Sequence, residues 1–178
     1  PNELYHYQDG QASAQKLVDP ATAPQGYRVS ADGRISFSKD DTRMFFGLAT
    51  PPIVKDTTLL DEEIVNVEVW TYNEPTLYTM QELRLSQDKK KSYTTVINLN
   101  DKNKLVQIAT TEYPNAVIGN EGNATYALVN NPKPYELEGH WQGVSERDYK
   151  VVNTFTGETK EALTKAVGRI TLSPQGKY

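Results

Sequence analysis

The stretch Gly33–Gly47, GRISFSKDDTRMFFG, decides how the rest of the chain is read. In RISFS, Ile35 and Phe37 point one way and Ser36 and Ser38 the other, which is the two-residue period of a strand with one wet face. Asp32-Gly33 ahead of it is a turn pair. Lys39-Asp40-Asp41-Thr42 turns the chain again, and RMFFGLA from Arg43 is a second, more deeply buried strand.

The same style continues in both directions. NELYHY precedes it, followed by a loop rich in Ala, Pro and Gln, then YRVS. Downstream, IVNVEVWTY alternates, with Val65, Val67 and Val69 on one face. LYTMQELRL is expected as its return strand after the Asn73-Glu74-Pro75 turn. SYTTVINL, KLVQIAT, AVIGN and ATYALVN are short apolar runs bounded by Asn, Asp, Gly or Pro. RDYKVVN leads through a Thr-Gly turn into GETKEALTKAV, the best helix candidate in the chain, read here as strand plus linker because it follows a turn signal. Helical periodicity is otherwise poor.

The opening stretch has an echo. Gly33-Arg34-Ile35 returns as Gly168-Arg169-Ile170, and Ser38 matches Ser173 at the same offset. The separation is about three periods of roughly 45 residues, the size of a β-propeller blade. VEVWTYNEP and DYKVVNTFTG share a second form, an alternating strand and then a tight turn. A lone four-stranded blade cannot cover both its faces, so blades stack in series. The expected fold is all-β, a partial β-propeller of three to four antiparallel blades, occupying 1–178 as one fragment with breaks near 32, 86 and 168. Ser173-Pro174-Gln175-Gly176 reads as a turn and Lys177-Tyr178 as the start of a further strand, which suggests a piece of a longer propeller.

Composition agrees with strands and removes several functions. Of 178 residues, 37% are hydrophobic, and the aromatics are eleven Tyr, four Phe and two Trp, a balance that suits sheets. The net charge of −4 gives no basic surface for nucleic acid. Lys89-Lys90-Lys91 reads as a solvated turn. There is no Cys, so disulfides, thiolate catalysis and Cys-ligated zinc are out. No apolar run is long enough to span a membrane as a helix.

Candidate chemistry is sparse. The two His, His6 and His140, have no metal-ligand spacing, and no cofactor is implied. EGHWQGVSE places His140 near Ser145, but nothing marks that Ser as a nucleophile. Trp70 sits in an alternating strand and reads as packed between sheets. Trp141, beside His140 in a Gly-rich loop, is the candidate contact surface. Asp61-Glu62-Glu63 is the densest acidic cluster and reads as a solvated loop. Asn123-Ala124-Thr125 matches the glycosylation triplet. NLNDKNK lacks the closing Glu of a calcium loop.

ISFSKDDTRMFFGLATPP, followed by KDTTLLDEEIVNVEVWTY, resembles the N-terminal propeller region of bacterial serine peptidases of the prolyl oligopeptidase and dipeptidyl aminopeptidase family. ALVNNPKPYELEGHWQGVSERDYKVVNTFTGE is similar to a later blade of that region. RITLSPQGKY is similar to its recurring SPDG strand start, with Gln175 in place of Asp. The resemblance implies a C-terminal α/β-hydrolase domain in the same parent chain, carrying the GxSxG nucleophile elbow that these 178 residues lack. It implies a non-catalytic role here, gating peptide access to that domain, and a periplasmic or secreted bacterial location. Exposed blade faces would favour self-association of the isolated piece. The rival expectation is a self-contained β-sandwich or barrel that binds a glycan or a protein partner.

Overall fold

The computed structural model describes residues 2–52, 54, 58, 60, 62, 69 and 71–176. Its first sheet is built around β5 (Arg43–Ala49), the apolar RMFFGLA run. β3 (Arg28–Val29) and β4 (Ser36–Phe37) pair with different parts of β5, and β6 (Tyr93–Asn98) and β7 (Lys104–Gln107) follow in order, all antiparallel. A second antiparallel sheet runs β8 (Asn115–Ile118), β9 (Tyr126–Asn131), β10 (Glu146–Asn153) and β11 (Thr159–Val167), each strand beside its sequence neighbour. A hairpin of β1 (Leu4–His6) and β2 (Gln15–Val18) precedes both.

The two-residue period of β5 divides the interior. Met44, Phe46 and Leu48 join Val29 and Ile97 beneath Leu4 and Val18 of the hairpin. Phe45 joins Val96, Val106 and Ile108 on the other face, against Ala127, Val129 and Val152 of the second sheet. The first sheet is therefore covered on both sides, which is why β5 reads as an unbroken apolar run. Truncating a buried Phe in such a layer costs about 3–5 kcal/mol.

A polar joint ties the sheets together at the start of β5. The side chain of Arg43 is buried, and its Nη1 donates to the Ala124 carbonyl at 2.8 Å and to the Thr154 hydroxyl at 2.9 Å. Its guanidinium also lies 4.8 Å from the centre of the Phe155 ring. Asn98, opposite Arg43 on β6, donates to the Thr154 carbonyl at 3.1 Å.

The turns after β4 and β8 touch, and a third turn joins the row. Lys39 N–H donates to the Glu121 carbonyl at 3.0 Å, and Gly122 lies against Ser38 and Phe45. One step on, Asn120 N–H donates to the Pro174 carbonyl at 3.0 Å, and Gly119 lies against Gly176. Ser38, Gly119 and Ser173 thus begin three successive turns. The copies at Gly33 and Gly168 are separated by two sheets, not by three equal periods. The spacing is uneven because the β5–β6 connection alone runs from Thr50 to Ser92.

The chain is mostly β, but not wholly so. α1 (Tyr78–Lys89) occupies the stretch expected to be a return strand. Met80, Gln81, Glu82, Leu83, Arg84 and Leu85 are strong helix formers, and among the described residues no strand pairs with them. Lys89 in the last turn suits the helix dipole. α2 (Glu136–Gln142) replaces the expected Gly-rich loop and ends at Gly143, whose φ of 68° supplies the left-handed cap. GETKEALTKAV, by contrast, forms the edge strand β11. The change of sheet falls between Gln107 and Asn115; position 86 lies within α1, position 32 between β3 and β4, and position 168 just after β11. Most of IVNVEVWTY, Trp70 included, lies outside the described residues, as do Asp61, Glu63, Lys177 and Tyr178.

Candidate functional site: a groove between two helices

Both helices leave their sheets at the same place. α1 lies in the connection from the second to the third strand of the first meander, β5 to β6. α2 lies in the corresponding connection of the second, β9 to β10. Strands stacked face to face bring these two connections to one end of the molecule. Loops carried there by a rigid sheet are where binding surfaces are usually built.

α2 is anchored to the strand that follows it. Tyr135 donates its hydroxyl to Asp148 Oδ1 at 2.7 Å, and that oxygen also accepts from Lys165 N–H at 2.9 Å. The carboxylate bond is the main cause of the raised Tyr135 pKa. Gly139 sits so close to the Val144 carbonyl that a methyl group there would approach it to 2.7 Å. α1 carries its own local bond. Gln81 Nε2 donates to the Thr76 carbonyl at 2.8 Å, and no residue of the helix is buried.

His140 closes the gap between the helices. Its Nε2 meets the Pro75 carbonyl oxygen at 2.6 Å, a geometry in which the ring nitrogen donates. The result is a groove of about 550 Å³, within the usual range for a ligand site. Its apolar walls come from Tyr72, Leu77, Met80, Leu137 and Trp141, and its polar groups are Glu74, Glu136, Arg84 and His140. Trp141 is 87% exposed and Leu77 70% exposed. Such a surface can hold an apolar side chain and set charges at its rim. Among the described residues neither Ser nor Cys lines it.

The two residues singled out from sequence, His140 and Trp141, lie side by side on α2 and both line this groove. Their partners Leu77, Met80 and Arg84 belong to the stretch expected as a strand, which forms α1 and its N-terminal flank instead, and Tyr72 precedes it. Ser145 shares a neighbouring cleft with His140, but the imidazole Nε2 is directed to Pro75. His6 is remote from both, against Phe37. Among the described residues no group of three His, Cys, Asp or Glu side chains is placed to hold a metal ion, and no helix is long and apolar enough to cross a membrane.

Comparison with protein-family models, with characterised proteins and with solved structures returns no match for the chain.

Proposed function

We propose that this chain is the non-catalytic propeller region of an exported bacterial serine exopeptidase of the prolyl oligopeptidase and dipeptidyl aminopeptidase type. In this reading the two antiparallel sheets are successive blades. They scaffold an α/β-hydrolase domain of the same parent chain and limit which peptides reach it. The helix-lined groove lies on the face where peptide or hydrolase domain is met, with Trp141 and His140 as contact residues.

One observation carries the proposal: the second sheet shares much of the layout of the first. Both sheets are antiparallel, the first with an extra short strand, β4, beside β3 on β5; a turn closed by an i to i+3 backbone hydrogen bond follows β4 and β8, and a helix lies in the β5–β6 and β9–β10 connections. A unit that repeats by stacking through its faces is the logic of radial β architectures. The third turn at Ser173–Gly176 fits the turn after the first strand of a further blade, which would cover Val117, now 41% exposed on the second sheet.

The chain alone is expected to show no turnover of dipeptidyl or prolyl chromogenic substrates, whereas the protein expressed from its whole reading frame cleaves them. That frame is expected to contain further SPDG-type turns and then a GxSxG elbow. A stop codon directly after Tyr178 would refute the reading. So would turnover by the 178-residue chain that vanishes on Ser145→Ala or His140→Ala.

A further inference from the structure

We propose that a second site, at the opposite end of the first sheet from the helices, binds a neutral oligosaccharide. It is a cleft of about 440 Å³ enclosed by the end of β1, the β4–β5 turn and the β6–β7 turn. Three kinds of group converge on it.

The first is aromatic. The His6 and Phe37 rings stand 5.8 Å apart at 50°, forming a tilted wall, and Tyr7 lies next along the chain. Phe37 is 46% exposed and Tyr7 56% exposed, so part of each ring surface is open where they line the cleft. A flat ring face packs well on the C–H face of a sugar ring.

The second is a set of carboxamides. Gln8, Gln11, Gln15, Asn100 and Asn103 line the cleft, and of these the Gln11 oxygen accepts the Gln8 N–H at 3.2 Å. Each amide offers two donors and an acceptor at fixed spacing, which matches neighbouring sugar hydroxyls. The third is a pair of carboxylates, Asp9 and Asp41, which can accept from hydroxyls and which disfavour an anionic ligand. No third ligand joins them to make a metal site among the described residues. An apolar ligand would leave the amides unpaired, at a cost in affinity.

The cleft is held in shape before any ligand arrives. Leu99 N–H donates to the Thr42 carbonyl at 2.9 Å, which locks the two turns together. Asp41 and Asn103 take left-handed backbone angles, with φ of 56° and 55°, a conformation these short polar residues tolerate best. A preformed cleft loses less entropy on binding.

The test is saturation-transfer NMR and titration calorimetry with trisaccharides of glucose, xylose, mannose and N-acetylglucosamine. Saturable binding of at least one at about 10 mM or tighter is expected, the weak regime of about −3 to −4 kcal/mol. Phe37→Ala and Asn100→Ala should each weaken it at least about fivefold, and Trp141→Ala should leave it unchanged; both cleft residues are exposed, so their loss leaves the fold intact. No saturable response from any trisaccharide overturns the proposal, and so does binding that persists in both cleft variants.

Discussion

Arg43 and Thr154 meet through a 2.9 Å hydrogen bond that joins the first strand of one sheet's interior to the loop beyond the third strand of the next. Both residues are buried, and the same Arg43 nitrogen also satisfies the Ala124 carbonyl. The guanidinium has no carboxylate within ion-pair distance among the described residues, so neutral oxygens and the Phe155 face hold it. Burial lowers the Arg43 pKa from its ordinary value, and Asp40 opposes that shift.

Replacing this side chain with Met keeps the packing volume and removes the donors. Arg43→Met is therefore expected to lose about 1–3 kcal/mol through two buried hydrogen bonds, leaving the Thr154 hydroxyl with only the Ala124 and Thr125 carbonyls at 3.2 and 3.0 Å. Urea unfolding followed by circular dichroism checks this. An unchanged midpoint would show that the joint contributes nothing.

Gly33 and Gly47 admit no side chain. A methyl on Gly33 would come within 2.6 Å of the Gly47 Cα, and one on Gly47 within 2.7 Å of the Ser92 Cβ. Neither has a positive φ, so the constraint is contact and not backbone strain. Gly33→Ala and Gly47→Ala should each destabilise by about 1–3 kcal/mol as overpacking does. The double variant should fall short of additivity, because the two residues share one contact; thermal unfolding of the three proteins measures it.

Asp40 organises the β4–β5 turn. Its Oδ1 accepts from the Ser38 hydroxyl at 2.6 Å and from the Thr42 hydroxyl at 2.8 Å. The Ser38 bond, then the Thr42 bond, lowers its pKa below the ordinary carboxylate value. A depressed folded-state pKa means the unfolded chain binds the proton first. The stabilisation is thus complete above about pH 4 and is lost as pH falls through the folded value. Asp40→Asn should flatten this acid limb of the melting temperature between about pH 2 and 5, with the remaining slope left to other carboxylates such as Asp19.

The helices carry a surface and not a core. Trp141→Ala and Leu83→Ser are expected to shift stability by no more than about 0.5 kcal/mol, since both side chains are largely exposed. In a Trp70→Phe background, Trp141 fluorescence should be red-shifted and strongly quenched by acrylamide. A blue-shifted, protected signal would place Trp141 in a covered environment.

Strands were legible where burial dictated the pattern. RMFFGLA, YTTVIN and YALVNN are apolar because sheets cover them, and a covered strand announces itself by composition. The helices were not legible for the converse reason. Leu77, Met80, Leu83 and Leu85 face solvent, so no buried stripe imposes a 3.6-residue period on α1. α2 is two turns long, too short for a period to register. The intermediate copy of the turn, VIGNEGNATYAL, was hidden too. It has Gly119 where the others have Ser38 and Ser173, and it bends through Asn120 and Glu121 at φ of 52° and 51°. The groove was half visible: His140 and Trp141 are adjacent in sequence, but Tyr72, Leu77 and Met80 reach them only through the stacking of two sheets.

β5 and β6 pair in register up to Leu48 opposite Tyr93, so the two ends of the long connection between them are held together by the sheet itself. The closure entropy of such a segment rises only logarithmically, by about 0.6 kcal/mol for each doubling of length. The sheet is thereby a socket whose cargo can be exchanged. Segments of very different length and composition fit between Ala49 and Tyr93, or between Asn131 and Glu146, without disturbing the strands that present them. Natural variation in what this end of the molecule recognises should accordingly concentrate in those two inserts, and grafted peptides should be tolerated there first.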